Sequence, residues 1–251
     1  MAQLGSVFWR LKNYGVLESL QYFFFKTLKS RNKLSKDNII ESFELLVEEL
    51  DFEASEELFE DYRIVFERVY KIYEDFVLAG NTIKGGLIGS NTSQTRFKVI
   101  AAIISRYKFD VIIEAGTQHG ASALFTKKFL KQKNIYCKLF SIDVSKYQAP
   151  HEVDSVNRII LDPPVRKNFK EQTQALVTGE TSVLYFHDSD HSYENMVFEF
   201  DWAWNVLKSK VIIADDIENN SAFYEFVNYE KAFFIICKFD SGPAVGIAIR
   251  T

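Results

Sequence analysis

Only two cysteines occur in 251 residues, Cys137 and Cys237, each inside an apolar run. That scarcity argues against a disulfide framework and leaves no Cys/His zinc pattern, so two buried thiols are expected. A basic excess is also missing. The net charge is -4, and a nucleic-acid-binding surface normally needs a basic face, so no nucleic-acid partner is expected. No apolar run is long enough to span a bilayer, and no cleavable signal peptide is read. The expected setting is cytoplasmic. Two glycine signatures are absent as well. Neither the Gly-x-Gly-x-x-Gly of dinucleotide sites nor the Gly-x-x-x-x-Gly-Lys-Ser/Thr of phosphate loops occurs, so no corner of the chain is built to cradle a pyrophosphate. What is plentiful is apolar and aromatic: 47% of residues are hydrophobic, with 23 Phe and 12 Tyr. Such a chain folds into a globule.

Charge is unevenly spread along the first third. Arg10, Lys12, Lys26, Lys29, Arg31 and Lys33 face a single acid, Glu18, before residue 36, whereas residues 36–80 are rich in acids. Between Phe8 and Lys29 aromatic rings alternate with basic groups. Two readings fit: an amphipathic helix at the inner face of an anionic membrane, or a helix packed on its own core or on a second subunit. A homo-oligomer is expected. Helices are read over 38–50 and 55–78. In the second, Phe59, Tyr62, Phe66, Val69, Tyr73 and Phe76 recur at helical spacing, with Glu56, Glu57, Glu60, Asp61, Glu67 and Glu74 at its first turn and on its solvent face. Gly80, Gly85, Gly86 and Gly89 then mark a boundary. The chain divides into a helical region, 1–85, and a core, 86–251.

The core is organised around Val111-Ile-Ile-Glu-Ala-Gly-Thr-Gln-His-Gly120. The β-branched run reads as a buried parallel strand. It ends on Glu114, turns through Gly116 and Gly120, and enters a helix at Ala121. Strand, glycine turn and helix form the nucleotide-binding corner of a doubly wound sheet. Gly116 is expected to permit the turn, and Gly120 to let a ligand lie against the main chain. Further strands are read over 136–143, 158–161, 182–187 and 211–217, with a loop over 145–157 long enough to act as a lid. Asn91-Thr92-Ser93 offers a cap for the helix before the first strand. The segments 232–239 and 244–249 read as a closing hairpin. The expected fold is α/β: a Rossmann-like, doubly wound, seven-stranded sheet with a C-terminal antiparallel hairpin, preceded by the helical segment.

Acids end several of these strands. Asp143 closes the second. Asp162 follows the third, before Pro163-Pro164. The fourth leads into Phe186-His-Asp-Ser-Asp-His-Ser-Tyr193, and the fifth ends on Asp215-Asp216. Ligands of open parallel sheets bind outside the carboxyl ends of strands. Adjacent fourth and fifth strands would bring Asp188, Asp215 and Asp216 together. Three close carboxylates repel unless a cation holds them, and hard oxygen ligands suggest Mg²⁺ or Mn²⁺.

The glycine corner resembles the first motif of class I S-adenosylmethionine-dependent methyltransferases. Together with the two strand-end motifs, it resembles the metal-dependent O-methyltransferases: the macrocin and mycinamicin sugar enzymes, the cephalosporin-hydroxylase-like proteins and, more distantly, catechol O-methyltransferase. The likeness covers residues 92–251. It implies that Glu114, Gly116, Thr117, Gly120, Ser122 and Asp143 hold S-adenosylmethionine, Asp143 through the ribose, with Asp162 near the adenine. It implies a divalent metal on Asp188, Asp215 and Asp216, and catalytic roles for Asp188 and His191, the latter as general base. The expected reaction is methyl transfer to a hydroxyl of a sugar or other vicinal diol, in a glycan or a natural product. A metal-independent O- or N-methyltransferase and a non-catalytic scaffold are the alternatives. Two departures from the family are His187, where relatives carry an aliphatic residue, and Asp215, where they often carry Glu.

Overall fold

A computed structural model describes residues 39–51, 56–83, 91–239 and 242–251. The basic aromatic segment 8–29 lies outside them, as does the stretch before Asn91. Asn91 is itself already helical, so the expected cap at Asn91-Thr92-Ser93 falls inside the helix.

In chain order the elements are β1 (Ile39–Ile40), α1 (Phe43–Glu49), α2 (Glu56–Leu78), α3 (Asn91–Arg106), β2 (Val111–Ala115), α4 (Ala121–Gln132), β3 (Lys138–Asp143), β4 (Asn157–Ile160), α5 (Val165–Leu176), β5 (Val183–His187), α6 (Tyr193–Asp201), β6 (Val211–Ala214), α7 (Ala222–Glu230), β7 (Phe233–Cys237) and β8 (Val245–Ile249). One sheet runs β1-β7-β8-β6-β5-β2-β3-β4. Its pairs are parallel except those made by β8, which is antiparallel to both β6 and β7. The doubly wound α/β sheet and its closing hairpin are thus as the sequence implies.

The strand count is not. There are eight strands among the described residues, because Ile39 and Ile40 pair in parallel with Ile236 and Cys237. A two-residue strand is too short for any alternation to show, and the expected helix over 38–50 covered it. That helix begins only at Phe43, where the Ser42 hydroxyl accepts the Leu45 N–H.

The central strands are buried on both faces, which is why they read as continuous apolar runs. On one face α2, α3 and α4 pack through aromatic rings. Phe97 stacks on Phe125 at 4.8 Å, and Phe125 meets both Tyr62 and Phe129. Tyr73, fully buried, donates from its hydroxyl to the His119 carbonyl at 2.5 Å, tying α2 to the loop after β2. Asp61 departs from the expected solvent face of α2. It is buried and accepts from Gln132 and Lys133 at 2.9 Å each. Both cysteines are free thiols. Cys237 is buried as expected, while Cys137 is only half-buried. No described helix is long and apolar enough to cross a membrane.

The chain leaves β2, builds β3 and β4 to one side, then returns to build β5 on the other. The crevice beyond the carboxyl ends of β2, β3 and β5 is where such a sheet binds its ligands.

Candidate active site

The β2 exit is held by hydrogen bonds across strand ends. Gly116 N–H donates to the Ile142 carbonyl of β3, and Asp188 N–H donates to the Ala115 carbonyl of β2, both at 2.8 Å. Gly116 has a positive φ of 95°, and a Cβ there would collide with the Asp188 carbonyl. Its lack of a side chain lets the β5 exit lie against the β2 turn. Gly120 also has positive φ, but its open side is filled by the Val153 side chain and not by ligand space. Val153 belongs to a short 3-10 turn, His151–Ser155, and is fully buried. The expected lid is therefore anchored by packing at its centre.

Glu114 is buried too. Its carboxylate accepts from the Ser122 and Ser141 hydroxyls, which bind α4 and β3 to β2. Burial raises its pKa, and the two serines lower it in part. Thr117 is likewise buried, its hydroxyl paired with Ser141 at 2.7 Å. Glu114, Thr117, Gly120 and Ser122 thus shape the corner from behind, and none of them lines the cavity. Asp143 does line it. Oδ2 accepts from the N–H groups of Thr117 (2.9 Å) and Gln118 (2.8 Å), and Oδ1 from those of Val144 (2.6 Å) and Ser145 (3.0 Å). Asp162 is exposed and outside the lining, although Leu161 and Val165 beside it are part of the wall.

The cavity holds about 510 Å³. Its apolar lining includes Ile142, Val144, Leu161, Val165 and the rings of Tyr147 and Phe169. The lining also carries Asp143, Asp188, Asp190 and Glu199, and no Lys or Arg is among the described residues that line it.

Beyond β5 and β6 the expected acids do meet, but differently from the expectation. β5 and β6 are adjacent, with His187 beside Ala214. Asp188 and Asp215 follow directly and share one cation, the Arg96 guanidinium of α3. Its Nη1 lies 2.5 Å from Asp188 Oδ2 and 2.9 Å from Asp215 Oδ2. Asp216 turns away, with a left-handed φ of 53°, and its Oδ2 lies 3.8 Å from His191 Nδ1. Burial, then the neighbouring His187, holds the His191 pKa below its ordinary 6.5. Burial, then Asp215, raises that of Asp216. Asp215 Oδ1, Arg96 Nε and His191 Nε2 are buried with no hydrogen-bond partner among the described residues.

Sequence reasoning missed Arg96 and Glu199. Glu199 is buried and accepts from Tyr185 Oη (2.6 Å), His187 Nδ1 (2.7 Å), Ser189 Oγ (2.6 Å) and Asn195 Nδ2 (2.8 Å). Burial alone would raise its pKa; His187 and the hydrogen bonds outweigh that and hold it below the usual range. His187, fully buried, is accordingly a core histidine oriented by a carboxylate. A glutamate in the buried Met196-Glu199-Phe200 stripe was a readable signal. Val197, expected on the inner face, is only half-buried. Arg96 carried no such mark beside Lys98 on the same helix.

A family model described as rhamnosyl O-methyltransferase/CmcI matches residues 91–225. The chain belongs to that family. It is an S-adenosylmethionine-dependent O-methyltransferase by membership. Similar solved structures include a CmcI described with Mg and SAM, at 14% identity over 69% of this chain and 83% of that one, with a TM-score of 0.46. An O-methyltransferase from Bacillus cereus in complex with SAH has 14% identity over 74% and 90%, with a TM-score of 0.47. TomG from Streptomyces achromogenes, in complex with SAM, has 12% identity over 74% and 89%, with a TM-score of 0.45. No curated protein matches the chain significantly. The family model carries the assignment.

Mg²⁺ is consistent with the family, but the donors as arranged do not fit a divalent ion. Two of the three acids direct an oxygen onto Arg96, and the third faces His191. Among the described residues no three His, Cys, Asp or Glu side chains converge as a metal site.

Proposed function

We propose that this enzyme moves the methyl group of S-adenosylmethionine to a hydroxyl of a small acceptor, a sugar or another vicinal diol. The observation that carries the reading is the juxtaposition of two unlike compartments at one sheet edge. One is a cavity lined by apolar and aromatic groups together with acids. Its apolar and aromatic lining suits an adenine, and the absence of a lining Lys or Arg among the described residues suits a positively charged sulfonium. The other is the Asp188, Asp215, Asp216 and His191 group at the β5 and β6 exits, with Asp188 common to both.

The sulfonium supplies an activated methyl group when bound. The chain's own residues must hold the acceptor oxygen in line and take its proton. His191 suits the second role. Its pKa is lowered, so the imidazole is neutral at pH 7 and able to accept a proton. Asp216, whose Oδ2 lies 3.8 Å from Nδ1, stabilises by its charge the imidazolium that forms. Asp143 holds the ribose in this reading, and the ribose hydroxyls take over lone pairs now used by Val144 and Ser145 N–H. A metal-assisted form would need Asp188, Asp215 and Asp216 to hold the ion, and two of them are engaged by Arg96.

Calorimetry with S-adenosylmethionine, followed by mass spectrometry of products from sugars, catechols, simple alcohols and amines, tests the reading. Methylation confined to vicinal diols supports it. Binding with transfer only to amines sinks the hydroxyl half, and absence of binding sinks all of it.

A further inference from the structure

We infer that Arg96 is the resident cation of the strand-end acids, standing where the family pattern calls for a divalent metal. What is at stake is the charge balance of the site, and only the activity arm of the test rests on the methyl-transfer reading.

Arg96 is aimed by its neighbours in α3. Thr95 is fully buried, and its hydroxyl donates to the Phe239 carbonyl at 3.1 Å, which ties α3 to the end of the β7 segment. Phe97, also fully buried, stacks on Phe125 of α4. With the residues on both sides pinned, the helix cannot rotate, and Arg96 between them is directed at the carboxyl ends of β5 and β6. Its targets are equally rigid. Asp188 N–H continues the β5 to β2 pairing, and Asp215 N–H donates to the His187 carbonyl at 3.0 Å. The Arg96 side chain is 18% exposed and those of Asp188 and Asp215 are 17% and 8% exposed, so solvent screens the triad weakly.

A guanidinium in this place answers the like-charge problem that a metal otherwise answers. It is permanently charged, and one Nη1 carries two hydrogens, one for each carboxylate. It also excludes the alternative. Mg²⁺ takes oxygens at about 2.0–2.1 Å in near-octahedral geometry. The two oxygens best placed to start such a shell already converge on Nη1, and a divalent ion between them would sit against a fixed positive charge. The site needs a third acid as well, but Asp216 is turned toward His191.

The test is direct metal binding to the full chain, followed by electron paramagnetic resonance of free Mn²⁺. The wild-type chain is expected to leave the Mn²⁺ signal unchanged, with a Kd weaker than about 1 mM. Arg96→Ala, which frees two buried carboxylates, is expected to bind Mn²⁺ at least about tenfold more tightly. Its melting temperature should fall without the ion and recover with it. Wild-type rates should be the same with EDTA and with added Mg²⁺. Stoichiometric, sub-millimolar Mn²⁺ binding by the wild-type chain overturns the inference, and that measurement needs no variant to fold. If Arg96→Ala does not fold, Arg96→Lys replaces it. Failure of Arg96→Lys to exclude Mn²⁺ as the wild type does would show that a fixed positive charge is not what keeps the ion out. Absence of methyl transfer under every condition would count against the proposed function and leave the binding arms readable.

Discussion

Two acid-bearing corners of one sheet edge are built by opposite means. At the β2 and β3 exits every carboxylate is satisfied by neutral donors: two hydroxyls for Glu114, four backbone N–H groups for Asp143. At the β5 and β6 exits the acids share an ionic partner, and polar atoms of Asp215, Arg96 and His191 are left unpaired. Carboxylates held by neutral donors make the corner rigid, and at Asp143, which lines the cavity, a ribose hydroxyl can replace a loop N–H on an oxygen already held in place. A buried ionic group with unspent valences is costly to form and sensitive to each partner, which suits a reaction centre.

The largest effect is expected where the two corners touch. Gly116→Ala drives a Cβ into the Asp188 carbonyl at a positive φ, and more than about 3 kcal/mol of stability should go. Urea denaturation measures it. An unchanged midpoint would mean the corners are not in contact as described.

His191→Ala should lower the rate by about 10²–10⁴-fold, the usual worth of a general base, with cofactor affinity unchanged. The acidic limb of the wild-type pH–rate profile should lie below pH 6.5, because the His191 pKa is lowered and the neutral form is the working one. The same shift makes its contribution to stability complete above pH 6.5 and lost as pH falls below it. A rate limb above pH 6.5 would remove His191 as the base.

Asp143→Ala should weaken S-adenosylmethionine binding by roughly 1–3 kcal/mol, since charge-assisted hydrogen bonds are lost and the loop N–H groups are left without an acceptor. Glu114→Gln gives the smallest effect and sharpens the contrast within the first corner. Because Glu114 does not line the cavity, cofactor affinity in calorimetry should not change, against the role that the family resemblance implied for it. Its folded pKa is raised above the ordinary 4.5, so the wild type should lose stability as pH rises from 4.5 through the folded value. The variant should lack that slope. An affinity loss comparable to that of Asp143→Ala would return Glu114 to the binding surface.

Much of the fold was legible because its signals are local. Val111-Ile-Ile, Val183-Leu-Tyr-Phe and Val211-Ile-Ile each announce a buried strand within a few residues, and the turn after each is marked by glycine or acid. β1 was illegible because two residues carry no period. Within the site, the positions of Asp143, Asp188 and Asp215 at strand ends followed from the sheet type. The surroundings of Glu114 and Gly120 did not. Both sit where a cofactor motif puts them, yet Ser122 and Ser141 enclose one and Val153 covers the other.

The sequence alone therefore determined the alternation of strands and helices, the closing hairpin and the row of acids along one edge, since each depends on residues close in the chain. The tertiary structure alone decided what neutralises those acids. Arg96 lies 92 residues from Asp188 and 119 from Asp215, and no local pattern links them. The packing of α3 on the sheet brings the guanidinium to the carboxylates, and a contact made by packing leaves no mark in the spacing of the residues that make it.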